Sequence, residues 1–135
     1  MNKLEWEEKF NTGITVIDGQ HQRIVKYINE LHEATDQNIE RKQVEKLLVK
    51  LVEYTLTHFA FEESLLIDSG YQYLDEHKKS HQAFCKKLSD LEAKFKSGQN
   101  VAPLLTQLLS DWLFEHIVQE DHQYVDCVRN FFLEN

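Results

Sequence analysis

Five histidines and two carboxylates are spaced so that each falls on the apolar stripe of a predicted helix. They form four groups along the chain: His21; His58 with Glu62; His77 with His81; and His116 with Asp121. The stripe of a helix that faces a protein core is normally apolar, and a buried ionisable group is costly unless it is paired or binds a metal. A metal site explains all seven positions at once.

The spacing within these groups indicates what kind of metal site they could form. Residues four apart share one helix face, so His58 with Glu62, and His77 with His81, can each direct two ligands to one point. Imidazole nitrogens and carboxylate oxygens without a thiolate suit iron, manganese or zinc better than copper(I) or an iron–sulfur cluster. Seven ligands are too many for one ion, and they suit two ions that share a bridging carboxylate.

Four amphipathic segments would have to position these ligands. Asp18 is a predicted N-cap for the first helix, and the second helix is predicted over residues 39–67, ended by Gly70. In the third helix, apolar residues and two histidines recur three and four positions apart, from Leu74 to Phe95. The fourth helix is predicted to begin near Pro103, which suits a position in the first turn. The residues of its inner side extend to Phe131.

These segments predict an all-α fold: an antiparallel up-down-up-down four-helix bundle over about residues 18–133. Residues 1–17 are expected to form an irregular N-terminal arm that packs its aromatic side chains against the helices. A length of 135 residues suits one domain covering residues 1–135. Nothing in the pattern demands an oligomer, so a monomer is expected.

Composition excludes several classes of partner. The formal net charge of −8 argues against nucleic acid, whose phosphates attract clustered lysine and arginine. No apolar run approaches the length of a membrane span, so no membrane association is expected. The first residues lack the apolar core of a signal peptide. A cytoplasmic location is therefore the expectation.

The complete pattern, His21, His58-x-x-x-Glu62, His77-x-x-x-His81 and His116-x-x-x-x-Asp121, resembles that of the hemerythrin family. It is similar in particular to the stand-alone bacterial members. The lead-in from Trp6 through Gly13-Ile14 to Ile17-Asp18-Gly19-Gln20-His21 is similar to their N-terminal signature. The resemblance covers essentially the whole chain, and each ligand position of the family has a matching residue.

The resemblance implies a non-haem di-iron centre that binds dioxygen reversibly, for storage, delivery or sensing. One iron would be held by His77, His81 and His116, and the other by His21 and His58. Glu62, Asp121 and a solvent-derived oxo or hydroxo group would bridge the two ions. Counting ligands in this arrangement leaves one position open, on the ion with two histidines, where dioxygen would bind.

An apolar pocket around that open position would withhold water and protons. Trp112 and Leu113, one turn before His116, and Val118, just after it, are the candidates for its lining.

Two other functions share this type of bundle. One is a di-iron enzyme, such as an oxidase, a peroxidase-like protein or a nitric-oxide handler. The other is iron storage, but ferritin-like sites use Glu-x-x-His pairs, and no histidine in this chain has a glutamate three residues before it. Five neutral imidazoles favour the ferrous state and the release of oxygen. The ligand set therefore predicts a carrier and not an enzyme.

Helix geometry and the family resemblance disagree about which carboxylate after His116 is a ligand. In a regular helix the residue on the same face as His116 is Glu120, whereas Asp121 lies about 140° around the axis. Either His116 and Asp121 straddle the inward direction, or the helix widens locally into a π-bulge. Asp121 is the predicted bridge, and Glu120 is expected to be a solvent or boundary residue.

Overall fold

The computed structural model describes residues 4–37, 39–99 and 102–134, and every regular element among them is helical. The main helices are α1 (Thr15–Asp36), α2 (Arg41–Asp68), α3 (Leu74–Lys96), α4 (Ala102–Glu115) and α5 (Val125–Glu134). A π-helical segment, His116–Glu120, and a 3-10 turn, Asp121–Tyr124, join α4 to α5, so these elements form one long rod.

The helices contact one another in a ring. α1 packs against α2 and α4, and α3 packs against the same two neighbours. This arrangement confirms the predicted four-helix bundle. The core is built from apolar residues on the inner faces of α1 to α4, including Ile28, Leu51, Phe84, Leu88 and Leu109. No helix in the described ranges is both long and apolar enough to cross a membrane.

The first helix begins earlier than the sequence predicts. α1 starts at Thr15, and Asp18 lies in its first turn instead of at the N-cap. The carboxylate of Asp18 reaches backward and accepts hydrogen bonds from the backbone N–H and hydroxyl of Thr12, both at 2.8 Å, and from the N–H of Gly13 at 3.0 Å. The predicted N-cap is therefore wrong, because Asp18 lies inside the helix and its carboxylate anchors the preceding loop.

The arm packs on the bundle through aromatic side chains, as predicted. It contains one 3-10 turn, Glu8–Phe10. Phe10 is buried and stacks on Phe114 with a centroid separation of 4.1 Å, while Trp6 meets the edge of Phe10 at 5.5 Å. The arm thus covers one side of the core next to α4.

Candidate metal centre

The structure brings all seven sequence-predicted ligands to one place inside the bundle. Each of these residues is at most 4% exposed. α1 supplies one, α2 two and α3 two, and the π segment and the 3-10 turn after it supply one each: His21, His58, Glu62, His77, His81, His116 and Asp121. Every histidine turns its Nε2 atom toward the two carboxylates.

One oxygen of Glu62 faces three of the histidines. Its Oε1 atom contacts Nε2 of His77, lies 3.1 Å from Nε2 of His81 and lies 3.7 Å from Nε2 of His116. The Nε2 atoms of His81 and His116 are themselves 3.1 Å apart. Three ring nitrogens and one carboxylate oxygen therefore surround a single small volume.

The other oxygen of Glu62 faces the remaining two histidines. Its Oε2 atom lies 3.3 Å from Nε2 of His58 and 3.9 Å from Nε2 of His21. The two oxygens of Asp121 also face different sets of histidines. Oδ2 is 3.1 Å from Nε2 of His21, while Oδ1 is 2.9 Å from Nε2 of His116. Both carboxylates thus lie between the two sets of histidines.

Unpartnered buried atoms show that this cluster is suited to cations. Nε2 of His21, Nε2 of His58 and both carboxylate oxygens of Asp121 are buried without a hydrogen bond. The ligand atoms form two groups whose members lie within 4.8 Å of one another, and Glu62 belongs to both. An ion that binds such donors at about 2.0–2.2 Å keeps them within about 4.4 Å of each other. The donor set therefore fits two metal ions.

Electrostatics in the cluster favour ionised carboxylates. Burial alone would raise the pKa of Glu62, but the imidazoles that face it, led by His116, hold that pKa well below its usual range. Burial and the charge of Glu62 raise the pKa of Asp121, yet His116 and His21 outweigh them and lower it. Burial lowers the pKa of His77, whereas the close carboxylates of Asp121 and Glu62 raise it to about 9. The ionised carboxylates of Glu62 and Asp121 therefore favour a positive charge between them and the histidines, which a metal cation can supply.

A buried tyrosine for which the sequence analysis predicts no role also belongs to the site. Tyr124 is fully buried, and its hydroxyl donates a hydrogen bond of 3.2 Å to Oε2 of Glu62. Burial, together with the charges of Asp121 and Glu62, raises the pKa of this phenol well above its usual value. Because Tyr124 follows Asp121 by three residues, about one helical turn, the sequence could have placed it near the site.

Three polar side chains contact the outward Nδ1 atoms of the ligands, and sequence reasoning gave them no such role. Nδ1 of His58 donates to Oε1 of Gln20 at 2.6 Å, and Nδ1 of His81 donates to Oε2 of Glu63 at 2.9 Å. The third is Glu120, described next. Gln20 and Glu63 each adjoin a ligand in the sequence, which was the only signal.

Glu120 is a boundary residue, as expected, but it also touches a ligand. Its side chain is 39% exposed, and its Oε2 atom lies 2.7 Å from Nδ1 of His116. Both atoms are buried, and neither has a regular hydrogen bond among the described residues. The contact is therefore best described as a close charge–imidazole pair.

The structure decides the geometry of the fourth rod in favour of the π-bulge. The segment His116–Glu120 is π-helical, so the turn holds more residues than an α-helical turn. Asp121 therefore comes to the inner face five residues after His116 and is fully buried.

The predicted pocket lining needs one correction. Leu113 is 2% exposed and belongs to the core, and Trp112 stacks on His116 with a centroid separation of 4.3 Å. Val118 is 42% exposed, so its assignment to a closed lining is wrong. The wide turn directs Val118 outward, and Ile117, which is fully buried, packs in the core instead.

Known proteins are similar to this chain in sequence and in architecture. The bacteriohemerythrin of Pseudomonas aeruginosa (strain LESB58) is 47% identical over 134 residues, which cover 99% of this chain and 87% of that protein. The bacteriohemerythrin of Stenotrophomonas maltophilia (strain R551-3) is 39% identical and covers 96% of this chain and 84% of its own length.

A solved structure and a family profile agree with these relatives. The crystal structure of wild-type hemerythrin matches with a TM-score of 0.88 and 31% identity, over 94% of this chain and 98% of that one. The profile described as the hemerythrin HHE cation binding domain matches residues 12–128. Since that match spans most of a chain whose buried histidines and carboxylates converge as described above, the protein belongs to the hemerythrin family.

Proposed function

We propose that this protein holds two iron ions and binds dioxygen reversibly, as a carrier and not as an enzyme. One ion would be held by His77, His81 and His116, and the other by His21 and His58. Glu62, Asp121 and a solvent-derived oxo or hydroxo group would bridge the pair. Membership of the hemerythrin family and the names of the bacteriohemerythrin relatives support this assignment.

The observation that carries the proposal is the position of Glu62. Its two oxygens face different sets of histidines, and the carboxylate belongs to both groups of ligand atoms. A carboxylate placed in this way can bridge two ions, whereas a site for one ion would leave the Nε2 atoms of the other set of histidines without a metal. Leaving buried polar groups unpaired is costly, so two ions account for the geometry best.

The residues around the site suit a carrier. When bound, a pair of ferrous ions supplies the two electrons that dioxygen takes up on reversible binding. Phe59 and Trp112 stack on His81 and His116, and Ile24, Leu113 and Ile117 are buried in the same hydrophobic core as Phe59. These apolar side chains would exclude the water and acids that make the reaction irreversible. Leu113 and Ile117 are the proposed lining on the fourth rod.

One observation favours the second candidate, a di-iron enzyme. The hydroxyl of Tyr124 contacts Glu62, and a phenol beside a bridging carboxylate could deliver a proton during turnover. The high pKa of this phenol opposes that role, because a weak acid gives up its proton reluctantly. We therefore assign Tyr124 to holding Glu62 in place.

Two measurements test the proposal. Elemental analysis of protein reconstituted with ferrous iron should give two irons per chain, and a reproducible value of one metal, or a preference for zinc, would overturn the di-iron assignment. An oxygen electrode should then record one rapid uptake that stops while reductant remains in excess. Continued consumption of oxygen under those conditions would support the enzyme instead.

A further inference from the structure

The outward nitrogens of the five histidines have unequal partners in the two halves of the site. In the half that contains His77, His81 and His116, two of the three Nδ1 atoms face a carboxylate. Glu63 accepts from His81 at 2.9 Å, and Glu120 lies 2.7 Å from Nδ1 of His116. Two negative charges therefore stand directly behind this set of ligands.

Among the described residues, none places such a charge behind His21 and His58. Nδ1 of His58 donates to the neutral amide oxygen of Gln20 at 2.6 Å. Nδ1 of His21 is buried and makes no hydrogen bond. The two ligand sets thus differ by two carboxylates in direct contact with their imidazoles.

A carboxylate behind a metal-bound imidazole strengthens that ligand. It accepts a hydrogen bond from Nδ1–H, fixes the tautomer that leaves Nε2 free for the metal, and raises the basicity of the ring. Its negative charge also offsets the charge of the ion through the imidazole. Removing such a partner typically costs about 10–100-fold in metal affinity.

We propose that Glu63 and Glu120 are positioning residues that make the two metal positions unequal. The position held by His77, His81 and His116 fills first and releases its ion last, and it favours the ferric state more strongly than the other position. Gln20, which carries no charge, leaves the opposite position with weaker metal binding and a stronger preference for the ferrous state. This inference rests on the proposed function, since it requires two bound ions.

Charge-changing variants of nearly equal shape separate this role from simple packing. Glu63→Gln and Glu120→Gln each keep an oxygen acceptor and remove the charge, whereas Gln20→Glu adds a charge to the opposite half. Glu53→Gln and Glu115→Gln are matched controls, because both side chains are exposed and neither contacts a ligand. A purely structural role would make Glu and Gln equivalent at all three positions.

The experiment is anaerobic competition for ferrous ions between the reconstituted protein and a bipyridine-type chelator. The unmodified protein should lose its two ions in separate steps. Glu63→Gln and Glu120→Gln should each weaken the tighter step by about 10-fold and leave the other step unchanged. Gln20→Glu should tighten the weaker step by a similar factor, which would bring the two steps together.

The ferric/ferrous potential of each variant supplies a second readout that packing alone would not move. It should rise in Glu63→Gln and Glu120→Gln, fall in Gln20→Glu and stay unchanged in both controls. Equal loss of both ions from the unmodified protein, or variants that match the controls, would overturn the inference and leave the proposed function intact. Fewer than two ions in the unmodified protein would overturn the proposed function itself. If a glutamine variant fails to fold, Gln20→Glu decides the question.

Discussion

Glu62 contacts all five histidines, three through one oxygen and two through the other. We expect Glu62→Gln to release iron from both positions, because removing one partner from a buried charged network costs about 3–5 kcal/mol. Iron content after desalting measures this loss. His32→Ala is the control, since His32 pairs with Asp36 at 3.3 Å and is outside the cluster. Full iron content in Glu62→Gln would show that the bridging role is misassigned.

Asp121 and Glu120 are neighbours in sequence with different roles in the site. Asp121 is fully buried between the two sets of histidines, whereas Glu120 acts from behind His116. Asp121→Asn should therefore lower the iron content of the purified protein, while Glu120→Gln should retain two irons but hold one of them more weakly. Iron retention against a series of chelator concentrations ranks the two variants. The reverse ranking would contradict the assignment of Asp121 as a bridge.

At the scale of elements, the π segment behaves as one extra residue in the fourth rod. In a regular helix, Asp121, Tyr124 and Val128 would lie about 140°, 80° and 120° around the axis from His116. All three are nonetheless buried. With one residue fewer they would lie within about 40° of His116. The wide turn therefore absorbs the extra residue and keeps both the site and the core below it in register.

This reasoning predicts the effect of changing the length of the segment. Deleting Gln119, which is exposed, should convert the π turn to a regular helix and leave the bundle folded with its bound metal. Inserting an alanine at the same point should turn Asp121 away from the site and abolish metal binding. Circular dichroism and iron analysis of the two variants test this. Loss of metal in the deletion together with its retention in the insertion would refute the register argument.

At the scale of the whole molecule, the sequence was sufficient for the features that repeat along each rod. The alternation of apolar residues three and four apart predicted the bundle, and four groups of histidines on that stripe predicted that their side chains would meet. Features that depend on a single local contact were less accessible. The start of α1 depends on where the Asp18 carboxylate finds N–H donors, and the exposure of Val118 depends on the wide turn that contains it.

The polar partners of the ligands could not be predicted for a related reason. Gln20, Glu63 and Glu120 have the composition and spacing of ordinary surface residues, and only the rotation of each helix in the bundle directs them toward a histidine. The choice between the two accounts of Asp121 likewise required backbone coordinates. Periodicity reports which face a residue occupies, whereas these contacts depend on distances of a few ångströms between neighbouring helices.

The stability of the whole bundle should depend on the metal. Without cations, the site buries both oxygens of Asp121 and several imidazole nitrogens that have no hydrogen-bond partner among the described residues. An ion that binds only the folded chain stabilises it by mass action. At a free metal concentration 1,000 times the dissociation constant, that stabilisation is about 4 kcal/mol. Thermal unfolding should therefore shift to a lower temperature when a chelator removes the iron. Glu62→Gln protein should show little shift, and an unshifted midpoint in the unmodified protein would contradict this expectation.

The central claim, reversible binding of dioxygen at a di-iron centre, is tested most directly by one cycle of visible absorption spectra. The reconstituted protein is reduced without oxygen, exposed to oxygen and then placed under vacuum. We expect a visible band that develops on exposure, fades when oxygen is removed and returns at full height on a second exposure. A single irreversible change to the ferric spectrum, with release of hydrogen peroxide and no recovery under vacuum, would contradict the claim.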